Sequence, residues 1–174
     1  DISVPDLTYG WAKLTSEYLA KIAYEKHGLK SVCYRPFSGY GEDQDLNYPF
    51  PSICKRILQN KDKKKFTVWG SGNQMRDFIH IDDCVYGVIK SMNKINNGDP
   101  LNLSNGIFLN FKDFAKKTAK IIGYNPKVVG TTNKPEGVFA RAGDTSKQKQ
   151  FGIKYKITLE NGIKKSLKFL DNKI

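Results

Sequence analysis

Six stretches of the chain carry apolar residues at the spacing of an amphipathic helix. The first begins near residue 8, and four of its residues fall on the side expected to bury against a core: Trp11, Leu14, Tyr18 and Ile22. Gly28 predicts the end of this helix, because glycine accommodates the left-handed backbone of a C-terminal stop. The same pattern predicts the remaining helices over 49–60, from Asp82 or Asp83 to about Met92, over 110–122, from 145 to Gly152 and over 158–172.

Shorter apolar or alternating runs between the helices predict strands. They cover 31–37, 66–69, 76–81, 101–103 and 127–129. The run from Ser31 to Phe37 is continuously apolar, which predicts a strand buried on both faces. The run from Arg76 to Ile81 alternates, which is typical of a half-buried strand. Because helices and strands are mixed without an obvious linker, the pattern predicts one α/β unit.

The strand near residue 31 leads into a loop suited to ligand binding. Pro36 has no N–H to donate, so strand pairing is expected to stop there. Gly39 and Gly41 follow in the loop. Ligands of open α/β sheets bind beyond the carboxyl ends of strands, so this loop is well placed for a site.

The first helix carries a tyrosine and a lysine one turn apart on the same face. A lysine ammonium beside the hydroxyl of Tyr9 would favour the phenolate and lower a pKa that is ordinarily about 10. Tyr9 and Lys13 could therefore transfer a proton near neutral pH. Ser16 and Ala20 make the rest of this face small and weakly polar. It suits a ligand, a partner helix or solvent.

Composition narrows the class of protein. The chain has 174 residues, of which 39% are hydrophobic and 26% charged, as in ordinary globular domains. No apolar run approaches the roughly 20 residues of a membrane span, and no signal-peptide pattern opens the chain. Cys33, Cys54 and Cys84 lie in apolar stretches without metal-site spacing, so we expect buried free thiols, no metal and a cytoplasmic protein.

The net charge of +12 favours an anionic partner. The lysines are mostly scattered, and the one dense run, at 61–65, is expected to be a solvated loop. No nucleic-acid motif with interleaved aromatic residues is present, so a nucleic acid is not the expected partner. A membrane is not expected either, because no apolar run is long enough to span one.

Five motifs in a fixed order resemble a known family. They are Tyr9-x-x-x-Lys13, Arg35-Pro-Phe-x-x-Tyr-Gly41, Trp69-Gly-x-Gly72, Arg76-Asp-Phe-Ile-His-Ile-Asp-Asp83 and Arg141-x-Gly-Asp-x-x-Lys147. Together they resemble the extended short-chain dehydrogenase/reductases, specifically the nucleotide-sugar epimerases and dehydratases. The resemblance implies the C-terminal part of a Rossmann-like parallel sheet over 1–45, followed by a small mixed α/β substrate-binding region over 46–174.

Two features of that family are absent from the sequence. One is the Gly-x-x-Gly-x-x-Gly loop that binds the cofactor pyrophosphate, and the other is the catalytic serine or threonine upstream of the tyrosine. We therefore expect the chain to be the C-terminal part of a longer enzyme. NAD or NADP would bind the full-length enzyme, and this part alone would be inactive and would not hold the cofactor.

The resemblance implies roles for seven residues. Tyr9 resembles the general acid/base, and Lys13 resembles its electrostatic partner, which also contacts the nicotinamide ribose. Pro36 and Phe37 resemble the segment that lies along the nicotinamide.

The substrate side of the resemblance has three residues. Arg76 resembles the arginine that binds the substrate diphosphate, and Arg141 resembles a second diphosphate contact. Ser38 stands where the family often has an asparagine that touches the sugar nucleotide, and Glu42 stands where a proline usually follows the Tyr-Gly pair. The sugar can therefore differ from that of other family members. His80, Asp82 and Asp83 are family markers with an expected structural role.

Two functions of different classes follow. One is the C-terminal portion of an NAD-dependent epimerase or dehydratase that acts on a nucleotide-diphosphate sugar. The other is a non-catalytic ligand-binding or interaction module with the family's shape. A nucleic-acid-binding module is a distant third alternative. An exposed strand edge and the apolar face of the first helix predict a homodimer or other self-association.

Overall fold

The computed structural model describes residue 5, residues 7–131 and residues 137–173. These parts contain the helices α1 Leu7–His27, α2 Pro49–Gln59, α3 Ile81–Ser91, α4 Phe111–Ile121, α5 Ser146–Gln150 and α6 Leu159–Asp171. The strands are β1 Cys33–Pro36, β2 Gly39–Tyr40, β3 Lys65–Trp69, β4 Met75–Arg76, β5 Ile79–His80, β6 Pro100–Leu103, β7 Leu109–Asn110, β8 Lys127–Thr131 and β9 Ala140–Arg141. The fold is mixed α/β, as predicted.

Most strand pairs are parallel and join segments that are distant in sequence. β1 pairs with β6, β2 with β5 and β3 with β8, all in parallel. β4 lies between β7, which is antiparallel to it, and β9, which is parallel. β2, β7 and β9 were not predicted, because two-residue strands leave no periodic signal of their own.

Two hydrophobic cores hold these elements together. The larger lies among α2, α4, α6 and β3, and three aromatic rings in mutual contact belong to it: Phe50, Phe78 and Phe114. The smaller contains Leu101 and Leu103 of β6, together with Ile79 and Cys84. The predicted division into 1–45 and 46–174 includes residues outside the described ones and stays a prediction. The pair of β1 and β6 joins the two predicted parts.

Helix α1 departs from the predicted burial pattern. It ends where predicted, with Gly28 at φ 64° and its N–H donated to the Tyr24 carbonyl. Trp11 and Tyr18, however, are 53% and 64% exposed, so the prediction that they are buried was wrong. Periodicity identifies the apolar face of a helix, but burial needs a neighbouring element, and no described element covers these two side chains.

The opposite side of α1 is anchored closely. A Cβ added to Gly98 would stand 2.8 Å from the Ala20 carbonyl oxygen, so the turn at Gly98 meets the helix backbone directly. Arg35 Nε also donates to Glu17 Oε1 at 2.7 Å, which ties β1 to the helix. This anchoring sets the position of Tyr9 relative to the end of β1.

Strand β1 is less buried than predicted. Cys33 and Tyr34 are half-buried, and Arg35 and Pro36 are exposed. Within the described residues β1 pairs with β6 alone, so its other edge has no neighbouring strand to cover it. Pairing reaches Pro36, as predicted, and Phe37 then donates one further N–H to the Leu103 carbonyl at 3.0 Å.

The predicted strand over 76–81 is divided into β4 and β5. Asp77 and Phe78 lie between them. Asp77 is completely buried, and its carboxylate accepts hydrogen bonds from another loop. Four consecutive residues are buried, from Asp77 to His80, so the alternation seen in the sequence does not correspond to one exposed and one covered face.

Helix α3 begins differently from the prediction. His80 is its N-cap, and its Nδ1 accepts the Asp82 N–H at 3.1 Å, so neither Asp82 nor Asp83 caps the helix. The buried carboxylate of Asp83 instead accepts the N–H groups of Lys156 and Ile157, both at 3.0 Å.

The cysteines are free thiols, and two of the three are buried. Burial raises the pKa of the Cys54 thiol to about 12 and that of Cys84 to about 11. Cys33 is only half-buried, which corrects the prediction, because β1 is covered on one side only. None of the described helices is both long and apolar enough to cross a bilayer.

Candidate functional site

A cavity of about 470 Å³ beyond the end of β1 brings together most of the predicted site. Six of the seven predicted residues line it: Tyr9, Pro36, Phe37, Ser38, Arg76 and Arg141. The seventh, Lys13, is not in the lining. The first and last of these six are 132 residues apart in sequence, so their meeting is a consequence of tertiary structure.

Four segments supply the main predicted residues of this cavity. α1 supplies Tyr9, and the loop after β1 supplies Phe37 and Ser38. β4 and β9 supply the two arginines. The position beyond the carboxyl end of a parallel strand is the usual ligand location in open α/β sheets.

Arg76 and Arg141 are register partners on the parallel strands β4 and β9. Burial, and then the charge of Arg141, lower the pKa of Arg76 from its ordinary value. The two guanidinium groups therefore belong to neighbouring strands at one wall of the cavity. Such a wall suits an anion with several oxygens.

The side chain of Arg76 is held in place by backbone oxygens. Its Nη1 donates to the carbonyls of Met75 at 2.7 Å and Val138 at 2.9 Å. Its guanidinium carbon lies 5.5 Å from the centre of the Phe111 ring. No carboxylate in the described part of the chain is seen to pair with Arg76, so these contacts orient its charge without neutralising it.

Tyr9 lines the cavity with an exposed side chain, and Lys13 lies beside it. The Lys13 ammonium stands 5.5 Å from the centre of the Tyr9 ring, and Tyr9 is 69% exposed. Their spacing on α1 therefore does bring the two side chains together. A catalytic role for the pair stays a prediction.

Ser38 has an unusual backbone conformation. Its φ of 35° places it in the left-handed region, which residues other than glycine adopt rarely. Such conformations are frequent at functional sites. Because Ser38 lines the cavity next to Phe37, this turn forms part of the cavity wall.

The sequence did not indicate several further residues of the lining. They are Gln44, Tyr48, Pro49, Phe50, Phe78 and Phe111, and the lining also includes Arg35 and Gly39 of the predicted loop motif. The glycine-rich loop was a signal for Gln44, whose amide donates to the Gly39 carbonyl at 3.0 Å. The aromatic residues gave no signal, because a core position and a cavity wall have the same hydrophobic pattern.

The family markers outside the cavity have structural contacts. His80 is completely buried and caps α3, and Asp83 holds the 156–157 segment. Lys165 Nζ pairs with Asp82 Oδ2 at 3.0 Å. His80, Asp82 and Asp83 do not line the cavity. The described residues also contain no group of three or more side chains able to hold a metal ion.

A second cavity of about 470 Å³ adjoins the first. Pro49, Arg76 and Phe111 line both cavities, so Arg76 stands at their junction. Trp69, which is 62% exposed, and the buried Gln74 line only the second. The two cavities together form an elongated site with a positive charge near its middle.

Comparison with known proteins places this arrangement in context. Residues 3–105 match the model of the NAD dependent epimerase/dehydratase family. The "Probable GDP-L-fucose synthase 1" of Oryza sativa subsp. japonica is 25% identical over 167 residues, which are 92% of this chain and 51% of that protein. The chain thus spans about half the length of the curated relatives it matches.

Solved structures of similar proteins share the fold. RMD from Pseudomonas aeruginosa, complexed with NADPH, superposes with a TM-score of 0.87 at 19% identity. UDP-glucose 4-epimerase from Thermotoga maritima, with UDP-glucose, gives 0.85 at 23% identity. Each match covers 99% of this chain and 59% of the other. The predicted Rossmann-like α/β fold class is confirmed.

Proposed function

Because this chain belongs to the NAD dependent epimerase/dehydratase family, we propose that it is the C-terminal catalytic and substrate-binding portion of a nucleotide-sugar epimerase or dehydratase. Its substrate is a sugar linked to UDP, GDP or dTDP. One observation carries the proposal: Arg76 and Arg141 stand side by side in the cavity that Tyr9 also lines. Two guanidinium groups suit a diphosphate, because each can meet two phosphate oxygens.

The two adjoining cavities support an orientation for this substrate. With the diphosphate at Arg76, the sugar extends into the first cavity towards Tyr9 and Ser38. The nucleoside extends into the second cavity, where Trp69 offers a ring and Gln74 an amide. An elongated, anionic ligand thus matches both the shape and the charge of the site.

Tyr9 is the proposed proton-transfer group. Its hydroxyl would take a proton from a sugar hydroxyl or return one to a keto oxygen. The Lys13 ammonium lies against the Tyr9 ring, so a positive charge stands beside the proposed proton-transfer group. The charge that develops on the sugar oxygen is thereby kept close to a cation.

The residues present fit the nicotinamide end of an NAD-type cofactor. Tyr9, Lys13, Pro36 and Phe37 would hold it, since three of them line the cavity and Lys13 adjoins Tyr9. When bound, such a cofactor accepts or returns a hydride. The sequence has no Gly-x-x-Gly-x-x-Gly loop for the pyrophosphate, so we expect this chain alone to bind NAD or NADP weakly.

A second candidate is a ligand-binding module without catalysis. It is favoured by the 69% exposure of Tyr9, because proton transfer is efficient in sites that exclude water. In that case the chain would bind the nucleotide sugar through the same arginines without turning it over.

Titration of the chain with UDP-, GDP- and dTDP-sugars tests the proposed ligand class. We expect at least one to bind about tenfold or more tightly than its nucleoside monophosphate, because the monophosphate offers one phosphate group to the two arginines and has no sugar. Isothermal titration calorimetry measures both affinities. The proposal is overturned if no nucleotide sugar binds more tightly than the matching monophosphate. Turnover of the bound sugar by the chain with added NAD would exclude the non-catalytic candidate.

Self-association through α1 is the proposed assembly. Trp11 and Tyr18 are exposed on its outer face, and helices with such faces commonly pair. We expect light scattering to show a mass above 19.7 kDa that decreases in a Trp11→Lys, Tyr18→Lys variant. The control is Ile107→Lys, which replaces an apolar side chain that is 66% exposed but lies outside α1. This variant should leave the mass unchanged. A monomeric wild type at high concentration would contradict the proposal.

A further inference from the structure

Asp77 directly follows Arg76 and is the most completely bonded carboxylate near the site. Its side chain is 0% exposed. Oδ1 accepts the Asn105 N–H at 3.1 Å, and Oδ2 accepts the Gly106 N–H at 2.7 Å. The Ser104 hydroxyl donates a further hydrogen bond to Oδ2. These described partners are all uncharged donors, so the carboxylate is held without cancelling the charge of a nearby arginine.

The same residue connects both arginine strands. The backbone N–H of Asp77 donates to the Arg141 carbonyl at 3.1 Å, which continues the β4–β9 ladder past the arginine pair. The Ser104 hydroxyl oxygen accepts the Gly143 N–H at 3.1 Å, two residues beyond Arg141. Asp77 therefore acts on β4 through its own backbone and on the segment after β9 through Ser104.

A third wall of the cavity depends on the same group. A Cβ added to Gly143 would stand 2.7 Å from Phe37 Cε2 and 2.8 Å from Ser104 Cβ. The Phe37 ring is thus packed against Gly143, and it also lines the cavity. Movement of Gly143 or Ser104 would displace Phe37 as well as Arg141.

We propose that Asp77 is the positioning residue of the diphosphate site. It holds Arg76 and Arg141 at the spacing that suits the two phosphates of a nucleoside diphosphate, and it does so from outside the cavity. The inference rests on the proposed function, because it assumes that the arginine pair binds the diphosphate. It adds that the preference for two phosphates over one is set by a buried carboxylate that touches neither.

Asp77→Asn tests this role because it preserves shape and removes the second acceptor. An amide has one oxygen, so its NH2 must face at least one of the three donors that the carboxylate now accepts. The donors would then separate, and the segment after β9 would lose its link through Ser104 to the carboxylate, while the backbone bond from residue 77 to the Arg141 carbonyl remains. Arg76 and Arg141 themselves remain in the chain.

Asp83→Asn is a matched control. Asp83 is also buried, at 3% exposure, and also accepts two backbone N–H groups, but it holds the 156–157 segment and not the arginine strands. Both variants should lose stability in urea unfolding. A purely structural role for Asp77 predicts the same effect of both on ligand binding, whereas a positioning role does not.

The readout is the ratio of affinities for a nucleoside diphosphate and its monophosphate, measured for GDP and GMP, for UDP and UMP and for dTDP and dTMP. For the nucleotide with the larger ratio in the wild type, we expect Asp77→Asn to lower that ratio by about tenfold while leaving monophosphate affinity within about twofold. Asp83→Asn should keep the ratio of the wild type. A wild type that prefers diphosphate together with an Asp77→Asn variant that retains the preference overturns this inference alone. A wild type without the preference overturns both this inference and the proposed function.

Ser104→Ala provides a second variant if Asp77→Asn does not fold. It removes the hydroxyl that links Asp77 to Gly143 and leaves the two backbone bonds of the carboxylate in place. We expect a smaller decrease in the same ratio, about threefold. A folded Ser104→Ala variant with the ratio of the wild type would contradict the proposed link.

Discussion

Arg76→Ala is expected to lower the affinity for a nucleotide-diphosphate sugar by about 10- to 100-fold. Hydrogen bonds to charged groups contribute about 1.5–3 kcal/mol, and each 1.4 kcal/mol corresponds to a factor of ten. Arg76 is the arginine at the junction of the two cavities, and its guanidinium is already oriented by the Met75 and Val138 carbonyls. Little ordering is therefore needed when the ligand binds. Isothermal titration with the best-binding nucleotide sugar measures the loss.

Two further variants separate geometry from charge. Arg76→Lys keeps the charge but loses the fork that meets two oxygens, so we expect an intermediate affinity. Lys117→Ala removes one positive charge from the exposed surface of α4 and should leave binding unchanged. If Arg76→Ala binds within twofold of the wild type, the diphosphate assignment is wrong. If Lys117→Ala weakens binding equally, the effect comes from net charge and not from the site.

Phe114→Ala is expected to destabilise the fold by about 3–5 kcal/mol, the usual effect of removing a large buried ring. Phe114 is 0% exposed, and its ring centre lies 4.7 Å from that of Phe50 and 5.1 Å from that of Phe78. Domains of this kind have about 5–15 kcal/mol of total stability, so the variant would lose a large part of it. Urea unfolding followed by circular dichroism measures the change in the free energy of unfolding.

The control for this prediction is a phenylalanine that is much less buried. Phe108 is 50% exposed, and Phe108→Ala should change the free energy of unfolding by less than about 1 kcal/mol. Phe114→Leu retains part of the volume and serves if the alanine variant is unfolded. A loss below 1 kcal/mol for Phe114→Ala would show that this ring is not central to the core. Because Phe50 and Phe78 also line the cavity, the alanine variant should weaken ligand binding too.

Elements whose signals are local could be predicted from the sequence alone. The helices α2, α4 and α6 were predicted within one residue at each end, because each combines a 3.6-residue apolar period with a recognisable start or stop. Thr158, for example, does accept the Asn161 N–H at the start of α6. The motif order likewise sufficed for the family, since identity of residue types along the chain needs no coordinates.

Which segments lie next to each other could be learned only from the folded chain. It placed Arg76 and Arg141 in register through β9, a two-residue strand that has no periodic signal. It divided the predicted strand at Asp77, whose partners at 104–106 are more than 25 residues away. It also left Trp11 and Tyr18 exposed although their helix was predicted correctly. In each case the outcome depends on contacts between distant segments, and hydrophobic periodicity carries no information about which segments meet.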